Sequence, residues 1–349
     1  MPRSKPSWWT PKRSVRSPTP LSTPPNTTRK RSALPPRKSP KTLHTKTRTP
    51  PPRPPMNDPK PPLMKTLLLL LLSATPAFCA EGTTYARFVP ERKDDFAWEN
   101  DLVAFRTYGP ALRQGPEDSG IDCWLKRVTH PIIDKWYEGN TKGVSYHKDH
   151  GEGYDPYHVG GSRGCGGTAL WVDGAMVTSD TFTDWKILEQ TPAKTVFELT
   201  YQYPAVGTGA PIREVKRITI VPGQRFFRSD STFTRDGQPV AGLPVAIGVT
   251  THDGKAAPAL SPENRWVSCW EKIGDSGLGT GVVLAPGFPI ETKELAVTEK
   301  DKSHALILTA TDSQGLVTCY PGYGWEKAGV ITTPEAWAGE LTAFSKSLQ

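Results

Sequence analysis

The sequence predicts an all-β fold, an antiparallel β-sandwich with a short C-terminal helix. Two observations lead there. From about Thr168 onward, short runs of β-branched and aromatic residues follow one another, separated by Gly, Pro, Asp and Asn. Within several runs apolar and polar residues alternate, the period of a strand with one buried face.

Thr195 to Val206 (T-V-F-E-L-T-Y-Q-Y-P-A-V) shows this alternation, and Val215 to Val221 repeats it. Pro222-Gly223 marks a turn, and Phe226 to Phe233 reads as the return strand. Leu243 to Thr251, Trp266 to Ile273, Gly281 to Leu284, Ala305 to Thr311 and Gly315 to Tyr320 continue the series. So many short strands in succession favour antiparallel sheets packed face to face. The helix is expected over Thr333 to Leu348. Thr333 can cap it, Pro334 suits its first turn, and Glu335 sits at the positive end of the dipole. Trp337, Leu341, Phe344 and Leu348 fall on one apolar face. Trp266 and Trp270 are expected to fill the sandwich core.

The amino-terminal part is a different material. Residues 1–65 hold sixteen Lys or Arg, one acid (Asp58) and eighteen of the 36 prolines. The formal charge of +8 therefore divides into +15 on this part and −7 on residues 66–349. A basic chain suggests nucleic acid or a membrane surface. Here the basicity sits where almost no aliphatic residue can offset the entropy of ordering, and no Lys/Arg patch elsewhere supports nucleic-acid binding. Residues 1–63 are expected to be disordered and to lie upstream of the real start, at Met64 or Met56. From Met64 the chain reads M-K-T-L-L-L-L-L-L-S-A-T-P-A-F-C-A. Lys65 is a short positive region, the leucines form an apolar run too short for a membrane span of roughly 20 residues, and Ala77 and Cys79 are small residues placed for cleavage. Residues 64–79 therefore read as a cleaved signal peptide, with Ala80 as the second choice of site; bulky Phe78 disfavours a lipid anchor on Cys79. A periplasmic or secreted protein follows, with residues 80–349 as a single domain. Its four cysteines, Cys123, Cys165, Cys269 and Cys319, have no CxxC spacing. Free buried thiols are expected in a domain of this size, with three disulfide pairings as the alternative.

Residues 85–167 are dense in charge, aromatics and glycine, with weak periodicity, and are expected to carry function on loops held by the strands. Tyr146 to His158 reads Y-H-K-D-H-G-E-G-Y-D-P-Y-H. It brings His147, His150 and His158 together with Asp149, Glu152 and Asp155 and with Tyr146, Tyr154 and Tyr157. Gly151, Gly153 and Pro156 exclude a continuous helix or strand. Five glycines follow between residues 160 and 167, with Arg163 as the strong cation among them. Such a loop suits proton transfer: a cation neutralises a carboxylate while a base removes the neighbouring proton. Metal binding by His147, Asp149 and His158 is the alternative, and a plain hydrogen-bonded loop is the bland one. Further upstream, Trp98, Glu99, Asn100 and Asp101 place an aromatic beside hydrogen-bonding groups, the usual way to hold a sugar. Arg92, Trp124 and Lys126 extend that candidate binding set. The ladder from Glu91 to Asp95 otherwise reads as surface ion pairs of little worth. No dinucleotide loop, Walker loop or HExxH motif occurs.

The runs Arg87 to Tyr108, Gly120 to Arg127 and Tyr146 to Gly167 resemble the secreted bacterial family called domain of unknown function 4861, over nearly all of 82–349. The resemblance implies polysaccharide-utilisation gene clusters and a galactose-mutarotase-like supersandwich, with Val215 to Phe233 similar to its paired strands. It also implies a dehydratase activity, shown by at least one member on uronic-acid-ended oligosaccharides. No catalytic residue is carried over from the family.

The expectation is thus a carbohydrate-active lyase or dehydratase eliminating across C4–C5 of a uronic acid in an acidic oligosaccharide. Arg163 or Arg92 would neutralise the carboxylate, one of His147, His150 and His158 would take the C5 proton, and Tyr154 or a second histidine would protonate the leaving oxygen. No cofactor is required, a divalent metal being the alternative. A non-catalytic sugar-binding module is the competing class, and a glycoside hydrolase using Glu99 with Asp101 or Glu152 the third.

Overall fold

Two five-stranded sheets lie side by side against one face of a third, nine-stranded sheet. The structure, a computed structural model, describes residues 83–206 and 209–349. The expected leader and the basic segment before it lie outside the described residues.

The first sheet contains β1 (Tyr85–Val89), β2 (Asp95–Glu99), β3 (Ala104–Thr107), β4 (Ile121–Lys126) and the two-residue β5 (Gly153–Tyr154), paired antiparallel in that order. A helix, α1 (Ile133–Thr141), follows β4. The chain then makes β6 (Cys165–Val172) and β7 (Ala175–Val177), followed by β8 (Asp184–Thr191), β9 (Lys194–Tyr203), β10 (Ile212–Ile220), β11 (Arg228–Arg235) and β12 (Gln238–Pro239). Next come β13 (Pro244–Thr250), β14 (Ala257–Ser261), β15 (Trp266–Ile273), β16 (Ser276–Leu284), β17 (Glu291–Leu295), β18 (His304–Ala310) and β19 (Leu316–Trp325). The large sheet runs β14-β15-β16-β19-β11-β10-β9-β8, with β12 on β11, and the other small sheet runs β17-β18-β13-β6-β7. Every strand pair is antiparallel. This is the expected all-β sandwich.

The alternation read from the sequence is the alternation of faces. In β9, Phe197 and Leu199 pack on Phe96, Trp98, Phe105 and Leu125 of the first sheet. Tyr203, on the same face further along, packs with Leu170, Val245, Ile247 and Ile307 of the other small sheet. One continuous face of the large sheet therefore serves two sub-cores. The two small sheets meet at a parallel bridge, Ile121 to Gly164. Gly164 has φ +54°, and a Cβ there would lie 2.0 Å from the Ile121 carbonyl oxygen, so only glycine closes this seam.

Part of the opposite face of the large sheet, over β15 and β16, is covered by α2 (Pro334–Ser347). Thr333 caps it, its Oγ1 accepting the Ala336 N–H at 3.1 Å, and Trp337 and Leu341 are buried against Phe226, Trp266 and Val283. Trp266 and Trp270 thus pack beneath the helix rather than between the sheets, a correction to their expected place. The four cysteines are free and buried, as expected.

A second correction concerns residues 85–141, expected to be loops and found as four strands and α1. Every residue of β2 and β4 is buried. The outward positions of these strands are charged and covered, so the alternation that marks a half-exposed strand is masked.

Candidate functional site

The outer face of the first sheet carries Asp95, Ala97 and Glu99 from β2, Ala104 and Arg106 from β3, and Asp122, Trp124 and Lys126 from β4, in register. Charges are tolerable there only if paired and hydrogen-bonded. They sort into two clusters beneath α1 and the hook formed by Tyr146 to His158.

The first cluster is closed. The Glu99 carboxylate accepts the Ile132 and Ile133 N–H groups at 2.9 and 3.0 Å, and Lys126 Nζ donates to it at 2.7 Å. Glu99 is therefore the anion that satisfies the orphan donors at the start of α1. Lys126 spends its other two donors on the Asn100 and His130 carbonyl oxygens. Asn100 is itself a staple: its Oδ1 accepts the Leu102 and Val103 N–H groups, and its Nδ2 donates to the Val221 and Gln224 carbonyl oxygens.

The second cluster centres on Arg106, whose guanidinium donates to Asp122 Oδ2, to Asp155 Oδ2 at 2.9 Å and to the Tyr146 hydroxyl at 3.3 Å. It lies over the Trp124 ring, 5.2 Å from its centroid. Arg92 reaches the same phenol, Nε to Tyr146 Oη at 3.3 Å, and Asp95 at 3.2 Å. Three buried carboxylates face two guanidiniums, one negative charge in excess. Burial pushes Asp95 up to about 6 against the pull of Arg106 and Arg92, and burial together with Asp122 pushes Asp155 well above the carboxylate range. Asp122 Oδ1 and Asp155 Oδ1 are buried without a partner.

At the edge of this cluster sits His147, over half exposed, with its ring 4.6 Å from that of Tyr146. Its Nδ1 faces the Asp155 carbonyl oxygen at 2.9 Å. That partner can only accept, so Nδ1 carries a hydrogen, and in the neutral ring Nε2 is the acceptor. The other two hook histidines repeat the device elsewhere. His150 Nε2 faces the Ser145 carbonyl oxygen at 3.1 Å, and His158 Nε2 faces Asp301 at 2.9 Å. The hook can bend this way because Gly153 takes φ +125°, where a Cβ would strike the Leu125 carbonyl at 1.9 Å.

The expected convergence of the three histidines with Arg163 is not what the fold produces. Arg163 is fully buried and donates to Ser119 Oγ at 2.8 Å, the Thr168 carbonyl at 3.1 Å and Asp118. Its backbone N–H bonds Nε2 of His304, which burial holds down to about 4 and so keeps neutral. Arg163 clamps the seam and cannot grip an external carboxylate. His158 belongs to another corner, where its carbonyl faces His252 Nε2 at 2.7 Å and His252 Nδ1 faces Glu271 at 2.8 Å. Tyr154 packs toward Trp325 on the inner side of the sheet.

The candidate sugar platform is corrected likewise. Trp98 is buried against Phe105, Phe197 and Phe227, and Trp124 is buried beneath Trp136, Tyr137 and Tyr146. Asp101 accepts the Gly223 N–H. Glu99 and Lys126 are sealed, so Glu99 is not half of a hydrolase pair with Asp101 or Glu152. The metal set also disperses: His147 turns to Asp155, Asp149 takes a two-pronged bond from Arg127, and His158 turns to Asp301. Among the described residues no three His, Cys, Asp or Glu are arranged to hold a metal ion. Gly160 to Gly164 spells G-x-S-x-G, but Ser162 is buried, its Oγ accepts the Gly164 N–H, and a strand follows rather than a helix. It is a turn, not a nucleophile elbow.

Residues 76–349 match the family described as "Domain of unknown function (DUF4861)". The chain belongs to that family. A relative from Formosa agariphila, "Uncharacterized protein P7", is 38% identical over 275 residues, which is 76% of this chain and 67% of that one. Among solved structures, a heparinase III product aligns with TM-score 0.35 and 10% identity over 69% of this chain and 36% of its own. The GH36 α-galactosidase AgaA from Geobacillus stearothermophilus aligns with TM-score 0.34 and 9% identity over 70% and 43%. The chain thus spans well under half the length of these enzymes, and likeness at this distance says nothing of chemistry.

Within this DUF4861 domain the residues that sequence reasoning passed over are Arg106, Asp95, Asp122 and Tyr146 as one network. The signal that could have found them is spacing. D-x-A-x-E, A-x-R and D-x-W-x-K put charges at alternate positions of three successive short strands. Among the described residues no helix is long and apolar enough to cross a membrane.

Proposed function

We propose that this protein is an exported carbon–oxygen lyase acting on an acidic oligosaccharide, eliminating across C4–C5 of a uronic acid. The observation that carries this reading is His147, over half exposed, held through Nδ1 by the Asp155 carbonyl and packed on Tyr146, whose phenol Arg92 also reaches. The proton next to a uronate carboxylate is very weakly acidic, so elimination needs a cation on the carboxylate as much as a base. Arg92, about a quarter exposed, is the guanidinium at the mouth of the network, and its fork suits a carboxylate. His147 Nε2 takes the C5 proton, the electron pair of that C–H bond forms the C4=C5 double bond, and the C4–O bond breaks. The departing oxygen recovers the proton from the imidazolium and leaves as water or as an alcohol. Arg106 and Asp155 hold His147 and Tyr146 in place and touch no substrate.

Incubation with uronic-acid oligosaccharides, followed by absorbance of the unsaturated product, tests this. His147→Ala and Arg92→Lys should each lower turnover by ~10²-fold or more. Full turnover in both folded variants removes the site. Cleavage without an absorbing product indicates hydrolysis, and binding without turnover indicates a sugar-binding module. Export is tested by N-terminal sequencing of the mature protein, which should begin near residue 80.

A further inference from the structure

A cavity of about 240 Å³ opens between α1 and the hook, and Tyr146 lines it while neither Arg92 nor His147 does. Its walls include Trp136, Val144 and Tyr146, and its rim carries Lys135, Lys148, His150 and Glu152. The volume lies just below the ~300–1,000 Å³ of drug-sized sites, which suits one ring rather than a chain.

The aromatic wall is fixed before anything binds. Trp136 stacks on Trp124 with centroids 5.4 Å apart, and its Nε1 donates to Glu152 Oε2 at 3.3 Å. A ring held by both a stack and a hydrogen bond loses little entropy on meeting a ligand. The rim is cationic in balance. Burial opposes ionisation of Glu152, but hydrogen bonds from Lys135, His130 and Trp136 outweigh it and hold the carboxyl down to about 2. That carboxylate is therefore committed to Lys135, 2.6 Å away, and to His130. The other neighbouring acid, Asp149, is committed to Arg127. Lys148, directly before Asp149 in sequence, is exposed, and its ammonium has no ion-pair partner among the described residues. His150 adds a free Nδ1, since its Nε2 is occupied by Ser145.

An apolar platform beside an uncommitted ammonium and ring-nitrogen acceptor matches a pyranose, whose C–H face lies on an aromatic ring while its acidic group seeks a cation. We infer that this cavity is a binding subsite for one uronate unit, separate from the elimination centre at His147. The choice of a uronate, rather than another anionic ring, rests on the acidic oligosaccharide proposed above.

The test is a titration of the whole protein with D-glucuronate, D-glucose and inorganic sulfate, read by tryptophan fluorescence and by calorimetry. Glucuronate should bind and glucose should bind at least ~10-fold more weakly, the worth of one charged hydrogen bond. Lys148→Ala should weaken glucuronate ~10-fold and Lys148→Glu should abolish it, with glucose unchanged. Both variants change an exposed side chain, so folding is preserved. His147→Ala should bind glucuronate like the parent. Equal binding of the two sugars, unaltered binding in Lys148→Glu, or no saturation by glucuronate up to ~10 mM overturns the inference. Sulfate competing as well as glucuronate does so too, since it marks a simple anion site. If Lys148→Glu loses glucuronate while His147→Ala keeps full turnover, the elimination centre fails and the subsite stands.

Discussion

Two ion clusters lie on the same face of the same sheet, and they are built to opposite ends. Around Lys126 and Glu99 the ammonium uses all three donors and the carboxylate caps α1, with both side chains fully buried. Around Arg106 two carboxylate oxygens stay unpartnered, two aspartates are pushed toward their protonated forms, and the edge opens at Arg92 and His147. A complete cluster fixes one helix to one sheet. An incomplete one leaves buried charge only partly compensated behind an exposed edge. Buried charge is common to both clusters; what sets the proposed site apart is its open edge at Arg92 and His147.

The sharpest way to break this distinction is to perturb a cation in each cluster. Lys126→Met strands the Glu99 carboxylate and should cost about 3–5 kcal/mol in urea unfolding. Arg92→Lys, at the open edge, should cost under ~1 kcal/mol. Similar losses in both would erase the contrast.

Within the open cluster the aspartates should differ in turn. Asp122→Asn weakens two charged hydrogen bonds from Arg106 and should cost about 1.5–3 kcal/mol. Asp155, which favours the neutral form, should accept Asn with a loss of ~1 kcal/mol or less. A larger loss for Asp155→Asn than for Asp122→Asn would show that Asp155 is needed ionised.

The clusters should also separate by pH. Asp95 has a folded value near 6 against an unfolded ~3.9, so its stabilisation is complete below ~4 and is withdrawn as pH rises through about 6. Thermal melts of Asp95→Asn should lack that decline, and a decline identical to the parent's would exclude Asp95 as its source. Glu152, on the cavity rim and outside both clusters, has the opposite sign. Its stabilisation is present above ~4.3 and is lost only as pH falls through about 2.

The smallest expected effect lies outside both clusters. Thr333→Ala removes the cap of α2 and should cost about 1 kcal/mol in urea unfolding, without touching turnover. A change in turnover would mean that α2 communicates with the hook across the large sheet.

Strands β9, β10 and β11 were readable because one face lies on a core and the other toward solvent, so period two survives in the sequence. Strands β13, β15, β16, β18 and β19, largely buried on both faces, were readable as short apolar and β-branched runs bounded by turn residues. Thr333-Pro334-Glu335 and the spacing of Trp337, Leu341 and Phe344 likewise determined α2 locally. Strands β1 to β4 were not readable. Their outward positions are covered by α1 and the hook, and paired charges at buried positions look like surface.

The sequence by itself determined the sheet-rich class, the terminal helix and the hook as a place dense in acid–base groups. Local propensity and period suffice for those, because each depends on neighbours within a few residues. Only the tertiary structure decided which charges are spent. In sequence reasoning Arg163, just after the hook, and Arg92, in a separate upstream cluster, are alternative candidates for the same cation. The seam between the two small sheets buries Arg163 among Ser119, Asp118 and Thr168, while the edge of β2 leaves Arg92 partly in water. A side chain's availability is set by partners brought from distant parts of the chain, and no local pattern records them.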